Sequence, residues 1–387
     1  MKITYCDNNA TTRVAPEVLD AMLPFLRDAY GNPSSMHSFG GGVRKHIEKA
    51  RGEVASLLGA EPDEIIFTGC GTESDNAAIL SSLAVDARRP HIVTTRVEHP
   101  AVLGLCKKLE KEGHQVSWLG VDAQGMLDLD EVRRAVRDCT GVVSAMYANN
   151  ETGVIFPIEE IGKTAKASGA SFHVDAVQAV GKIPLDMRRS SIDYLALSGH
   201  KLNAPKGVGA LYIRKGTKFS PFIVGGHQEM GRRGGTENVA SIVGLGAACI
   251  LAAKHLDEEN TRVKKLRDKL ENALLAKAPD ARLNGHPAHR LPNTTNISFE
   301  YVEGEAILLR MNELGICASS GSACTSGSLE PSHVLRAMGV PYTAAHGSVR
   351  FSLSRYSTEE EVDFVIEHLP PIIRTLRELS PFGRKNR

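Results

Sequence analysis

The chain is short of features that would assign it at a glance. Its seven cysteines (Cys6, Cys70, Cys106, Cys139, Cys249, Cys317 and Cys324) include no CxxC pair, and no histidine–cysteine cluster has zinc-ligand spacing. A structural zinc module is therefore not expected. Scattered, odd-numbered thiols read as reduced cysteine. The opening MKITYCDNNATT has no apolar core and no cleavage signature, so we expect no export and a cytoplasmic protein. Neither sign of charge is in surplus, with 46 Lys and Arg against 45 Asp and Glu. That balance gives no electrostatic case for nucleic acid or a membrane surface as partner. The most apolar stretch, IVGLGAACILAA at 242–253, is too short to span a bilayer and reads as a buried helix. The Walker lysine and the full dinucleotide fingerprint are both missing. There is no internal repeat, and no low-complexity tract beyond the Ser/Gly run ASSGSACTSGS at 318–328.

What is present alternates. Strand-like EIIFT (64–68), HIVTTRV (91–97), GVVSAMYAN (141–149), SFHVD (171–175), DYLALSG (193–199) and GVGALYIRKG (207–216) are interleaved with helix-like segments. One of these, PIEEIGKTAKASG, has Pro157 at its start and Gly169 at its end, where such residues open and close helices. The alternation predicts an α/β layer with a mostly parallel sheet. A charged stretch near 257–265 predicts a hinge, and the rest of the chain, with NTTNISF and SVRFSL as strands, reads as a smaller α+β unit.

Functional groups of open parallel sheets gather at the carboxyl ends of the strands. Five segments qualify: GCGTES (69–74), VEHP (97–100), NNETG (149–153), VDAVQAV (174–180) and SGHKL (198–202). Singly, each has an ordinary explanation. Glycine is common in strand-to-helix turns, Asp175 could cap a helix, Lys201 could be a loop lysine, and His99 could cap a loop. Together they supply what a pyridoxal phosphate enzyme needs: a lysine for the Schiff base, an acid for the pyridinium nitrogen, phosphate donors at a helix start, and an imidazole for the ring face. The separation of Asp175 and Lys201 fits two neighbouring strand ends joined by one crossover.

The motifs CDNNATT (6–12), GNPSSMHSFG (31–40), TGCGTESDN, VEHPAV, ANNETG, HVDAVQAVGK, SGHKLNAPKGVGALY, GGHQEMGRRGGTEN (225–238), SSGSACTSGS and SVRFSLSRY (348–356) resemble those of cysteine desulfurases from end to end. The likeness is greatest to the nitrogen-fixation branch, and the histidine–cysteine-dense loop of the other desulfurase group is missing. The resemblance implies the aspartate-aminotransferase-like fold of pyridoxal enzymes, α/β in class, and a homodimer. It implies a large cofactor-binding domain over 15–257, and a small domain of 1–14 and 258–387 carrying a mobile cysteine loop at about 318–330.

By the same resemblance Lys201 is the Schiff-base lysine and Asp175 the partner of the ring nitrogen. Gln178 serves the ring hydroxyl with Asn150 nearby, and Gly71, Thr72, Ser198 and His200 hold the phosphate. Thr236 reaches the phosphate across the subunit interface. His99 stacks on the ring and moves protons, Arg350 clamps the substrate carboxylate, and Asn9 lines the substrate site. Cys324 is the thiolate that takes sulfur from L-cysteine as a persulfide, leaving alanine. Its Ser/Gly surroundings would let it travel to an acceptor. The implied acceptor is a U-type iron–sulfur scaffold, where Cys324 could ligate a cluster transiently; no firm metal site is implied. Rival readings are a selenocysteine lyase, a sulfur-relay donor for tRNA thiolation, a scaffold-binding protein, and a plain aminotransferase, for which a cysteine loop would have no use. Cys317 and Cys6 read as core residues.

Overall fold

The computed structural model describes residues 2–320 and 330–380. Twelve strands are present among them: β1 (Thr4–Tyr5), β2 (Ile65–Thr68), β3 (His91–Thr95), β4 (Val116–Leu119), β5 (Thr140–Met146), β6 (Ser171–Asp175), β7 (Tyr194–Ser198), β8 (Gly209–Ile213), β9 (Ala281–Leu283), β10 (Thr294–Phe299), β11 (Ile316–Cys317) and β12 (Ser348–Ser352). Seven of them form one sheet in the order β2-β8-β7-β6-β5-β3-β4. Only β8 runs against its neighbours. The other strands are parallel, as the alternation predicts. The strand β5 is buried at all seven residues, which is why the central strands read as apolar runs without alternation. The half-buried edge strand β4 carried no such signal.

Helices cover both faces. Gly169, at φ +72°, closes the helix Ile158–Ser168 in the left-handed conformation that glycine adopts at little cost. The apolar stretch at 242–253 lies in the helix Val239–Lys254, which packs on Arg44–Leu58 and Pro16–Arg27. Close approach is needed there, since a Cβ on Gly246 would lie 2.8 Å from the Ala50 Cα. Each fully buried aliphatic side chain of this core contributes about 1.5–3 kcal/mol. Among the described residues no single helix is long and apolar enough to cross a membrane.

A second core gathers Cys6, Val263, Leu270, Ile297, Phe351, Val365 and Ile373 around the sheet β12-β10-β9. Val334, Leu335, Ala344 and Ala345, although late in the chain, pack into the first core. The expected hinge region holds a π-helical turn, Glu259–Val263, continuous with the helix Lys264–Lys277. The last helix runs from Glu359 to Leu379, through Pro370 and Pro371. Burial of Pro370 and Ile373 in the second core offsets the lost backbone bonds. Cys317 is half-buried rather than core, because β11 is a two-residue strand paired only with β1.

The N-terminal segment touches both cores. The strand β1 lies parallel to β11, while Thr12 N donates to the His200 carbonyl at 3.0 Å and Ala15 N to that of Asn203 at 3.0 Å.

Candidate active site

The carboxyl ends of β2, β3, β5, β6 and β7 open into a cavity of about 350 Å³. Of the thirteen residues singled out in the sequence, it is lined by Asn9, Gly71, Thr72, His99, Asn150, Asp175, Gln178, Ser198, His200, Lys201 and Arg350. Thr236 is not among them; it lines a separate cavity of about 200 Å³ with Gly69, Gly207 and Arg233. Cys324 lies outside the described residues, and Ser320, shortly before it, borders the main cavity.

Each side chain is placed by local chemistry. After β2, Gly69 N donates to Glu73 Oε2 at 2.7 Å. The helix Gly71–Ala84 then begins with its free backbone N–H groups toward the cavity end of the sheet. A Cβ on Gly71 would stand 2.8 Å from Val177 Cγ2 and 3.4 Å from Ser198 Cβ. After β3, His99 caps the helix Pro100–Lys111, its Nδ1 accepting from Ala101 N at 3.1 Å. That bond fixes the tautomer, so the proton of the neutral ring sits on Nε2. Burial lowers the His99 pKa, keeping the ring neutral near pH 7, although Asp175 pulls the other way.

After β5, Asn149 ties its own turn. Its Oδ1 accepts from Glu151 N and Thr152 N, and its Nδ2 donates to the Val97 carbonyl. The neighbouring Asn150 is thereby presented to the cavity. At the end of β6, Asp175 Oδ1 accepts from Val177 N at 2.9 Å. Gln178 Nε2 donates to the Asn9 carbonyl at 3.1 Å. After β7, Lys201 Nζ donates to the Asn9 carbonyl at 2.5 Å and the Ala10 carbonyl at 2.7 Å. His200 Nδ1 is 3.1 Å from Thr11 Oγ1, and burial lowers its pKa to about 4.

Residues that sequence reasoning missed lie around and behind these. Asp75, buried one turn after Gly71, borders the cavity, and its Oδ1 sits 3.2 Å from His173 Nε2. Burial raises its pKa well above the usual carboxylate range, with Asp175 and Glu98 adding repulsion. Glu98 is wholly buried and pushed up to about 8 by burial. Glu151, pushed up to about 7 by burial, accepts from Ser332 Oγ. Asp7 pairs with Arg350. The i, i+4 spacing of Gly71 and Asp75 could have revealed Asp75; nothing local marks Asp7.

The donor set fits pyridoxal phosphate. Asp175, 6% exposed, has its pKa raised above the carboxylate range by burial, and a cationic ring nitrogen would relieve that cost. The helix start at Gly71 offers backbone donors to a phosphate, and Lys201 lines the same cavity. A pyridoxal phosphate-dependent α/β enzyme is what this sheet and these residues define. The aminotransferase class-V family model matches residues 4–365. The chain is 63% identical to cysteine desulfurase 2 of Trichormus variabilis, over 99% of this chain and 96% of that one. It is 60% identical to cysteine desulfurase NifS of Azotobacter vinelandii, over 100% and 96%. A solved NifS-like protein superposes with TM-score 0.91 at 41% identity, over 97% of this chain and 100% of the other. The chain thus belongs to the class-V aminotransferase family, among its cysteine desulfurases.

Proposed function

We propose that the protein converts L-cysteine to L-alanine and passes the sulfur to its own Cys324. The balance is L-cysteine plus a thiol giving L-alanine plus a persulfide, so no outside oxidant is needed. Pyridoxal phosphate, when bound, supplies the electron sink that draws charge from the substrate Cα and loosens its C–S bond. Lys201 tethers that group and moves the Cα proton. Asp175 keeps the ring nitrogen cationic, and Gln178 and Asn150 serve the ring hydroxyl. Gly71, Thr72, Ser198 and His200 hold the phosphate, with Thr236 supplied from a second copy of the chain. His99, neutral and carrying its proton on Nε2, is suited to donate to the substrate carbon that the sulfur leaves and to recover a proton afterwards. Arg350, with Asn9 beside it, receives the carboxylate of the substrate.

The observation that carries this reading is the convergence of five strand ends on one cavity holding Lys201, Asp175 and His99 together. Dimer formation is supported by the apolar face that Leu19, Leu23, Leu26, Tyr30, Met36 and Phe39 leave exposed. We further propose domains of 15–257 and of 1–14 with 258–387, on the strength of the two cores. The six described cysteines are unpaired thiols, in keeping with a cytoplasmic location and with delivery of sulfur to a U-type iron–sulfur scaffold.

The test is to give L-cysteine to the purified, pyridoxal-loaded protein. Alanine should appear, and the peptide carrying Cys324 should gain the mass of one sulfur atom, removable by dithiothreitol. Cys324→Ala should abolish sulfur release, and Lys201→Ala should remove the visible absorbance of the bound cofactor. Alanine formation undiminished in Cys324→Ala would favour the selenocysteine lyase reading.

A further inference from the structure

Arg350 is only 5% exposed, and a buried guanidinium without a counter-ion is costly. Asp7 supplies one, accepting on Oδ1 from Arg350 Nη2 at 2.8 Å. Arg350 Nη1 donates to the Asn150 carbonyl at 3.0 Å, and the buried Nε has no partner among the described residues. The grip of Asp7 is single-toothed, because its other oxygen accepts from Ser319 Oγ at 3.1 Å. A fork able to hold a carboxylate through two parallel bonds is thus engaged by Asp7 through only one. Ser319 is itself strapped to β12, since Arg350 N donates to the Ser319 carbonyl at 2.7 Å and Ser319 N to that of Arg350 at 3.2 Å.

We propose that Asp7 is a positioning residue that sets how tightly Arg350 holds an amino-acid carboxylate, acting as a built-in competitor whose grip Ser319 limits. The inference rests on the reading of Arg350 as the carboxylate site. Substrate and product of that reaction carry the same carboxylate, so an arginine with no counter-ion would retain alanine as firmly as it captures cysteine. Asp7 makes the arginine's surroundings neutral and aims the fork. Binding is then weakened equally for both amino acids, and product leaves. Ser319 divides the charge of Asp7, which keeps the competitor from closing the fork.

The experiment is calorimetric titration of L-alanine into the pyridoxal-loaded protein and two variants, with steady-state kinetics on cysteine beside it. Asp7→Asn keeps an acceptor for Arg350 but removes the charge. It should bind alanine about tenfold tighter, with KM and kcat falling together as release slows. The ligand-free variant should melt earlier, yet gain more in Tm from alanine than the parent does; a merely structural role would lower Tm without enlarging that gain. Ser319→Ala frees the second oxygen of Asp7 and should bind alanine about twofold to threefold more weakly. Unchanged or weaker binding by Asp7→Asn overturns the proposal, as does unchanged or tighter binding by Ser319→Ala. Should Asp7→Asn not fold, Ser319→Ala decides alone. The titration needs no turnover, so failure to desulfurate cysteine would refute the proposed reaction and leave this result standing. Alanine binding in neither the parent nor Asp7→Asn would overturn this proposal and leave the proposed reaction to its own test with cysteine.

Discussion

Replacing Gly71 by alanine would put a methyl group where the backbone of the helix start meets Val177 and Ser198. The new carbon would stand 2.8 Å from Val177 Cγ2, well inside contact distance, and valine is stiff about χ1. Overpacking of this kind costs about 1–3 kcal/mol. Alanine in place of glycine in a helix returns at most about 1 kcal/mol. The cofactor-free variant should therefore lose no more than about 3 kcal/mol, while the wall behind the phosphate moves inward. Losing one charge-assisted backbone bond to the phosphate would cost about 1.5–3 kcal/mol, a rise in cofactor Kd of roughly tenfold to a hundredfold. Absorbance titration of pyridoxal phosphate onto the cofactor-free variant measures that Kd, and urea unfolding measures the structural cost. Cofactor affinity within about threefold of the parent, in a variant shown to be folded, would refute Gly71 as part of the phosphate cradle.

Three other outcomes are expected. Asp175→Asn should retain cofactor but form alanine about a hundredfold more slowly or worse, since two pKa units of ring-nitrogen stabilisation amount to that factor; near-parental turnover would remove Asp175 from its role. Glu98 has its pKa raised from 4.5 to about 8 by burial, so the unfolded chain loses that proton first as pH rises. Stability should thus fall between about pH 4.5 and 8 relative to Glu98→Gln, and pH-dependent urea melts of the pair that run parallel would contradict it. Glu229 holds Arg51 Nη1 at 2.6 Å and Phe67 N at 2.8 Å, in a turn where Glu229 and Met230 have positive φ. Glu229→Ala should destabilise the fold by about 3–5 kcal/mol, read as a lowered urea midpoint.

The parallel sheet and the floor of the site were legible because both follow from local rules. An apolar run ending in a small or polar residue appears five times, and the five endings meet in space. Helix ends at Pro157 and Gly169 were legible for the same reason. What escaped was set by distant pairing. The contact of Asp7 with Arg350 joins residues 343 apart, and no window of sequence contains both. The buried pair of Asp75 and His173 depends on which face of the first helix turn meets β6. Edge strand β4 escaped because half-buried residues carry weak periodicity.

Among the described strands, β1 has the longest stretch of chain between itself and its partner. Thr4 and Tyr5 pair with Ile316 and Cys317, so a nascent chain can build most of its large sheet while β1 is still unpaired. Elongation at about 5–20 residues per second makes that wait long beside the folding of a single domain. Truncations that stop short of β11 should therefore accumulate with β1 unpaired and open to proteolysis.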